Sequence, residues 1–209
     1  MDKINYDLIM KKEIEEVKKL PKKPKLLLHV CCAPCSTHTF NVLTPYFEVT
    51  IYYANSNIFP ESEYNRRKEE LIRFVSEYNE ENNTNIEMIF PPYEHNEFMS
   101  ELRQFALEKE GGKRCFLCYE KRINETLKYA SENGYDYVTT SLTISSHKNS
   151  QIINEIAKNL SKNYPSVKYL YSDFKKNNAN LVIKKMSEEH HLYKQNYCGC
   201  EYSIRVPKD

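Results

Sequence analysis

The stretch Leu26-Leu27-Leu28-His29-Val30-Cys31-Cys32-Ala33-Pro34-Cys35 constrains this chain more than any other. An apolar run of strand length reads as a strand buried on both faces, as in a parallel sheet. Pro34 is expected to end it, because proline cannot donate to a ladder. Three thiols are thus held where a central strand meets a loop. A lone cysteine would pass as a small core hydrophobe. Three in five residues, echoed by Cys115-Phe116-Leu117-Cys118 and Cys198-Gly199-Cys200, point instead to a thiolate site.

The rest of the chain alternates helix and strand patterns. An amphipathic helix is predicted over residues 4–19, closed by Pro21 and Pro24. A helix over 36–44, capped by Ser36 or Thr37, should follow the first strand. Further strands are predicted at 47–54, 85–90, 137–142 and 167–171. Helices are predicted at 61–78, around 97–107, from Cys115 to a C-cap at Asn133-Gly134, at 150–160 and at 179–190. This order implies an α/β fold, a mostly parallel sheet with helices on both faces and right-handed crossovers. The division is an N-terminal helical extension, residues 1–24, and a single α/β domain, residues 25–209.

That topology brings the cysteines together. Cys31, Cys32 and Cys35 follow the first strand, at the carboxyl edge of the sheet. The helix opened by Cys115 and Cys118 follows the third strand, so its N-terminus should reach the same edge. There the helix dipole favours thiolate over thiol. For Cys198 and Cys200 to join them, residues 192–197 must cross back over about 20 Å, as a sixth, edge strand.

Composition narrows the chemistry. The chain has 209 residues, 28 % of them charged, and a formal net charge of +1, so no global basic field advertises nucleic acid. No run approaches membrane-spanning length, and residues 1–25 have no apolar signal-peptide core. A cytoplasmic protein without a membrane partner is expected, and there clustered thiols bind metal or do redox work more often than they form disulfides. Four thiolates suit zinc or an iron–sulfur cluster, and spacing alone does not choose between them. Adjacent Cys31 and Cys32 make a poor zinc knuckle, whereas a cluster offers several iron corners to close ligands. Seven cysteines exceed one four-ligand site by three, which calls for a second metal or a redox pair.

Six segments resemble the cobalamin-independent epoxyqueuosine reductases, the QueH family, from Lys25 to about Ser203. They are HVCCAPCS at 29–36, NIFPESEYNRR at 57–67, RCFLCYEKRI at 114–123, TTSLTIS at 139–145, SDFKK at 172–176 and QNYCGCEYS at 195–203. The resemblance implies a Rossmann-like (HUP-like) sheet, a [4Fe–4S] cluster and, in some members, a second mononuclear iron beside it. It implies reduction of epoxyqueuosine to queuosine at the wobble position of tRNA, with electrons from a donor the sequence does not identify. Combined with the convergence at one edge, it assigns Cys31, Cys32, Cys115 and Cys118 to the cluster. Cys35, Cys198 and Cys200 form a second thiolate group. Some members carry aspartate where Cys35 stands, and members often read N-P-N-I-H-P against Asn55-Ser56-Asn57-Ile58-Phe59-Pro60 here.

Removing an epoxide oxygen as water requires two electrons, protons and a group that polarises the oxygen. His29, Asp173 and the loop His147-Lys148-Asn149 are the candidates near the edge, each equally readable as an ordinary core, cap or loop residue. Tyr64 or Tyr119 would stack on a base. Arg66, Arg67, Arg114, Arg122 and Lys148 would meet phosphates on a basic rim. Two other classes stay open. A PP-loop tRNA-modifying enzyme would need S-G-G-x-D-S after the first strand, where this chain has CCAPCST. A non-catalytic zinc protein binding RNA or a partner would need only the thiols.

Overall fold

The computed structural model describes residues 3–204; residues 1–2 and 205–209, the outermost ends of the two predicted ranges, lie outside it. Five parallel strands form one sheet in the order β3-β2-β1-β4-β5: β1 (Lys25–His29), β2 (Glu48–Tyr52), β3 (Glu87–Ile89), β4 (Tyr137–Thr140) and β5 (Lys168–Tyr169). The register pairs Leu28 with Ile51 on one side and with Thr139 on the other. This is the Rossmann-like α/β arrangement expected from the alternating pattern. Strand order reverses between β1 and β4, and ligands of such sheets bind in the crevice outside the strand ends at that point.

Helices cover both faces because β1 buries side chains alternately. Leu26 and Leu28 point into one layer, with Phe40 of α2 (Ala33–Leu43) and Leu71, Phe74 and Tyr78 of α3 (Glu61–Asn82). Leu27 points into the other, with Ile123 and Leu127 of α5 (Lys113–Glu132) and Ile153 of α6 (Ser150–Leu160). The first helix, α1 (Tyr6–Val17), buries Met10, Ile14 and Val17 in the first layer. A short helix α4 (His95–Ser100) passes into a 3₁₀ turn, Leu102–Phe105, and α7 (Ala179–Glu189) packs on α2. Among the described residues no helix is long and apolar enough to cross a membrane.

Two expectations are corrected. Residues 192–197 are not a strand; they run along α3. Their polar groups are taken by α3 and the residue just before its N-cap: Tyr193 N–H donates to Glu70 Oε1 at 2.7 Å, and Tyr197 O–H to the backbone carbonyl of Phe59 at 2.6 Å. The helix after β1 starts at Ala33, not at residue 36, with extended Cys32 as its N-cap. Pro34 therefore opens α2 rather than closing a strand, since the first helical turn needs no N–H from it. Ser36 and Thr37 do not cap it; their hydroxyls donate back to the Ala33 and Pro34 carbonyls at 2.7 and 3.0 Å.

Candidate metal centre

Because α2 begins so early, Cys35 sits in its first turn beside the cysteine that caps it. Cys32 and Cys35 Sγ are 2.6 Å apart, Cys31 and Cys32 Sγ 3.8 Å, and all three sulfurs lie within 4.8 Å of one another. These three thiols can share one metal ion. Cys35, expected with Cys198 and Cys200, is thus grouped with Cys31 and Cys32. Hydrogen bonds from Cys32 and Cys35 hold the Cys31 thiol well below its usual pKa, helped by the charges of Lys148 and Arg122. Burial pushes Cys32 up to about 12, and the bonds to Cys31 and Cys32 raise Cys35 well above its usual value.

Cys115 and Cys118 lie in the first turns of α5, which Gly112 opens in extended backbone. Gly111 N–H, at φ +86°, donates to Cys115 Sγ at 3.2 Å. At the helix start the Gly111 N–H lowers the Cys115 pKa but is outweighed. Burial dominates, raising Cys115 and pushing Cys118 up to about 12, and the nearby thiols of Cys198 and Cys200 add to it. Buried in apolar surroundings, these thiols stay protonated until a metal or a cation displaces the proton.

Cys198 and Cys200 reach the centre on a loop that α3 clamps. Arg67, only 2 % exposed, donates from Nε to Glu63 at 2.7 Å. Its Nη1 and Nη2 donate to the carbonyls of Cys198 and Tyr197 at 3.2 and 3.3 Å. Gly199 has φ +131°, and a Cβ there would lie 3.1 Å from Ile58 and 3.2 Å from Arg67, so the turn requires glycine.

A cavity of about 320 Å³ opens at the switch point between β1 and β4, lined by Cys31, Cys35, Cys198, Lys148, Gln195 and Tyr197 among others. It is at the small end of ligand pockets. Two cations stand beside the sulfurs. Burial works against the Lys148 ammonium, yet the thiols of Cys198, Cys31 and Cys35 outweigh it and raise its pKa. Arg122 is 2 % exposed; burial likewise opposes its charge, and the thiols of Cys118, Cys31 and Cys198 favour it. Arg122 donates to Asn55 Oδ1, whose amide in turn donates to the Val30 carbonyl at 2.8 Å.

Arg122 also decides the role of His29. Its Nε–H donates to His29 Nε2 at 3.2 Å, so that nitrogen is the acceptor and Nδ1–H donates to Thr140 Oγ1 at 2.7 Å. Burial and Arg122 push the His29 pKa down to about 3. His29 is a neutral core histidine that orients Arg122, not a proton donor.

The expected basic rim is not where the sequence placed it. Arg67, Arg114 and Arg122 are buried and turned inward. Arg114 spends one nitrogen on the carbonyls of Phe105, Ala106 and Glu108, at 2.7 to 3.0 Å, and lies over the Tyr202 ring. Arg66 stacks on Tyr193, 3.5 Å from its centroid. Tyr64 is packed between Tyr53 and Tyr93, and Tyr119 lies in the layer under α5, so neither presents a free face for a base. Asp173 pairs with Lys175 at 3.2 Å. Lys148 alone of the four candidate substrate contacts Tyr64, Arg67, Arg114 and Lys148 lines the cavity.

Sequence reasoning missed Gln195 and Asn55. Gln195 lines the cavity beside the cysteines and keeps a buried amide oxygen unpartnered. No local pattern announces a glutamine in an irregular segment. Asn55 was legible only as part of the segment before α3.

A parallel α/β sheet with a thiol-lined pocket at its switch point, and Arg122 and Lys148 beside the sulfurs, defines a Rossmann-like protein whose clustered thiols can hold a metal. The family described as epoxyqueuosine reductase QueH matches residues 26–206, and the chain belongs to that family, a family of oxidoreductases. It is 44 % identical over 204 residues to the epoxyqueuosine reductase QueH of Streptococcus pyogenes serotype M1, covering 98 % of this chain and 80 % of the relative. Identity to the protein of the same name from Staphylococcus aureus is 43 %, covering 96 % of this chain and 84 % of the relative. For that of Thermotoga maritima it is 30 %, covering 86 % and 90 %.

Proposed function

We propose that this chain reduces the epoxide of epoxyqueuosine in tRNA to give queuosine, two electrons and two protons removing the oxygen as water. The observation that supports it most is the cavity at the switch point, where three cysteines from two sequence-distant segments share a wall with the Lys148 ammonium. The donor set fits iron. Sulfur ligands select iron–sulfur clusters and zinc, and seven thiols suffice for a [4Fe–4S] cluster plus a second, mononuclear iron. Cys115 and Cys118 belong to the cluster and Cys35 to the second iron, with Cys31, Cys32, Cys198 and Cys200 completing the two sets. When bound, the cluster supplies electrons one at a time and an open iron supplies a Lewis acid.

The chain's own residues have separate tasks. Arg122 and Lys148 offset the negative charge of ionised sulfurs in a site of low dielectric. Lys148 presents N–H donors to an oxygen that gains charge as its C–O bonds break. Gln195, on the cavity wall, offers its unpartnered oxygen to a donor on the nucleobase. The test is incubation of reduced, iron-loaded protein with epoxyqueuosine-bearing tRNA, followed by nucleoside mass analysis.

A further inference from the structure

A second concavity, about 1210 Å³, lies beside the sulfur-lined cavity, and the two share His147 and Lys148 as a common wall. It is walled by the segment before α1, the first turns of α6 and the loop after β5. Five lysines line it (Lys3, Lys148, Lys158, Lys175, Lys176) against two carboxylates, Glu155 and Asp173. Both carboxylates are already answered: Asp173 by Lys175 at 3.2 Å and Glu155 by Lys158 at 3.9 Å. Among the described residues this leaves Lys3, Lys148 and Lys176 with no acidic partner. In a chain of near-zero net charge, Lys3 and Lys176 without a partner, beside a Lys148 that faces the thiols, make a local field rather than a general property of the surface.

The wall is also held firmly where the two spaces meet. Lys175 Nζ donates to the Thr143 and Lys148 carbonyls at 3.0 and 3.2 Å. Thr143 bonds Ser172 at 2.9 Å, and Asn154 of α6 both donates to the Ser172 carbonyl and accepts from its N–H. A network of buried polar groups therefore fixes the backbone at Lys148, so one side chain faces the sulfurs from the rim of the groove. The N-terminal end of α6 adds its dipole on the same side, although the lysines define the groove.

We propose that this groove takes the sugar–phosphate backbone of the tRNA anticodon loop while the modified base enters the adjoining cavity past Lys148. The inference rests on the reading of the substrate as tRNA and adds the surface that holds it. A cleft that continues into a small pocket suits a single strand with one splayed base, since a backbone can track a charged groove while a base leaves the stack. An acidic electron-donor protein would meet the same charge, but a groove that continues into a pocket past Lys148 fits a chain with one splayed base better than a protein face.

The experiment uses the full, iron-loaded chain with Lys3→Glu and Lys176→Glu combined; both residues are exposed and remote from the sulfurs. Lys22→Glu with Lys23→Glu, exposed before β1 at the opposite edge of the sheet, is the control. tRNA bearing epoxyqueuosine is the probe, with affinity measured across a salt series and turnover driven by dithionite. The groove variant should bind at least about tenfold more weakly, with the slope of log affinity against log salt reduced by about two. Its KM should rise while kcat stays near that of the unaltered chain. Unchanged affinity and slope, or an equal loss in the control, would overturn the proposal. So would normal dithionite turnover combined with slow turnover from reduced flavodoxin, which would make the groove the donor's. If the unaltered chain leaves the epoxide intact, the functional reading fails; if it turns over and the groove variant matches it, only the groove does.

Discussion

Arg67 Nη1 donates to the carbonyl of Cys198 across 3.2 Å, so a helical residue 131 positions earlier in the chain sets the position of the last cysteine pair. Arg67→Lys keeps a charge opposite Glu63 but loses the fork that serves two carbonyls at once. The variant should lose about 1–3 kcal/mol of stability, the cost of orphaned buried acceptors. Alkylation of Cys198 in the metal-free protein should speed up. Thermal unfolding and mass-resolved labelling check it; labelling at the unaltered rate would mean the loop needs no clamp.

Gly199→Ala strains the same loop from within, since φ is +131° and the added methyl meets Ile58 and Arg67. The cost should be of order 1–3 kcal/mol, and iron retention should fall while the circular dichroism of the folded sheet persists. Full iron content in a stable Gly199→Ala protein would show that the loop tolerates another conformation.

Cys115→Ala and Cys118→Ala should each abolish the visible absorbance of an iron–sulfur cluster after oxygen-free loading. Cys35→Ala should keep that absorbance and lose only the second iron, together with turnover. Iron and sulfide counts beside the spectrum separate the cases. A cluster retained in full by both Cys115 and Cys118 variants would remove them from the ligand set.

Local pattern made much of this legible. α6 was read to its ends, Ser150 and Leu160, because Asn149 is a recognisable cap before an apolar period. β1 and the shared carboxyl edge from which α2 and α5 start followed from strand order, which needs no side-chain detail. What failed depended on contacts distant in sequence. Nothing around Leu192 to Tyr197 shows that Glu63, Glu70 and Arg67 would take its hydrogen bonds in place of a neighbouring strand. Arg67, Arg114 and Arg122 read as surface cations because charge alone does not tell which face of a helix meets a buried carbonyl. The nearness of Cys35 to Cys31 and Cys32 was not legible because Pro34 reads equally well as the end of a strand or the start of a helix.

The docking of α1 is testable through pH. Glu13 accepts from Tyr137 O–H and Lys168 Nζ, both at 2.6 Å. Burial alone would raise its pKa, but those two bonds win and hold it below the ordinary value. A carboxyl with a lowered folded pKa contributes stability above its unfolded value, about 4.3, and loses it as pH falls through the folded one. Glu13→Gln should therefore cost about 1 kcal/mol at pH 7, and the gap to the unaltered chain should close below about pH 4. A gap that persists in acid would assign the loss to packing rather than charge.

The central claim is epoxide reduction at a thiolate-held iron centre, and nucleoside mass analysis tests it most directly. Oxygen-free, iron-loaded protein is reduced and incubated with tRNA carrying epoxyqueuosine, and the digested nucleosides are weighed. The account predicts loss of one oxygen from that nucleoside alone, dependent on the reductant and absent in Cys118→Ala. An epoxide left intact by fully loaded, reduced protein would contradict it.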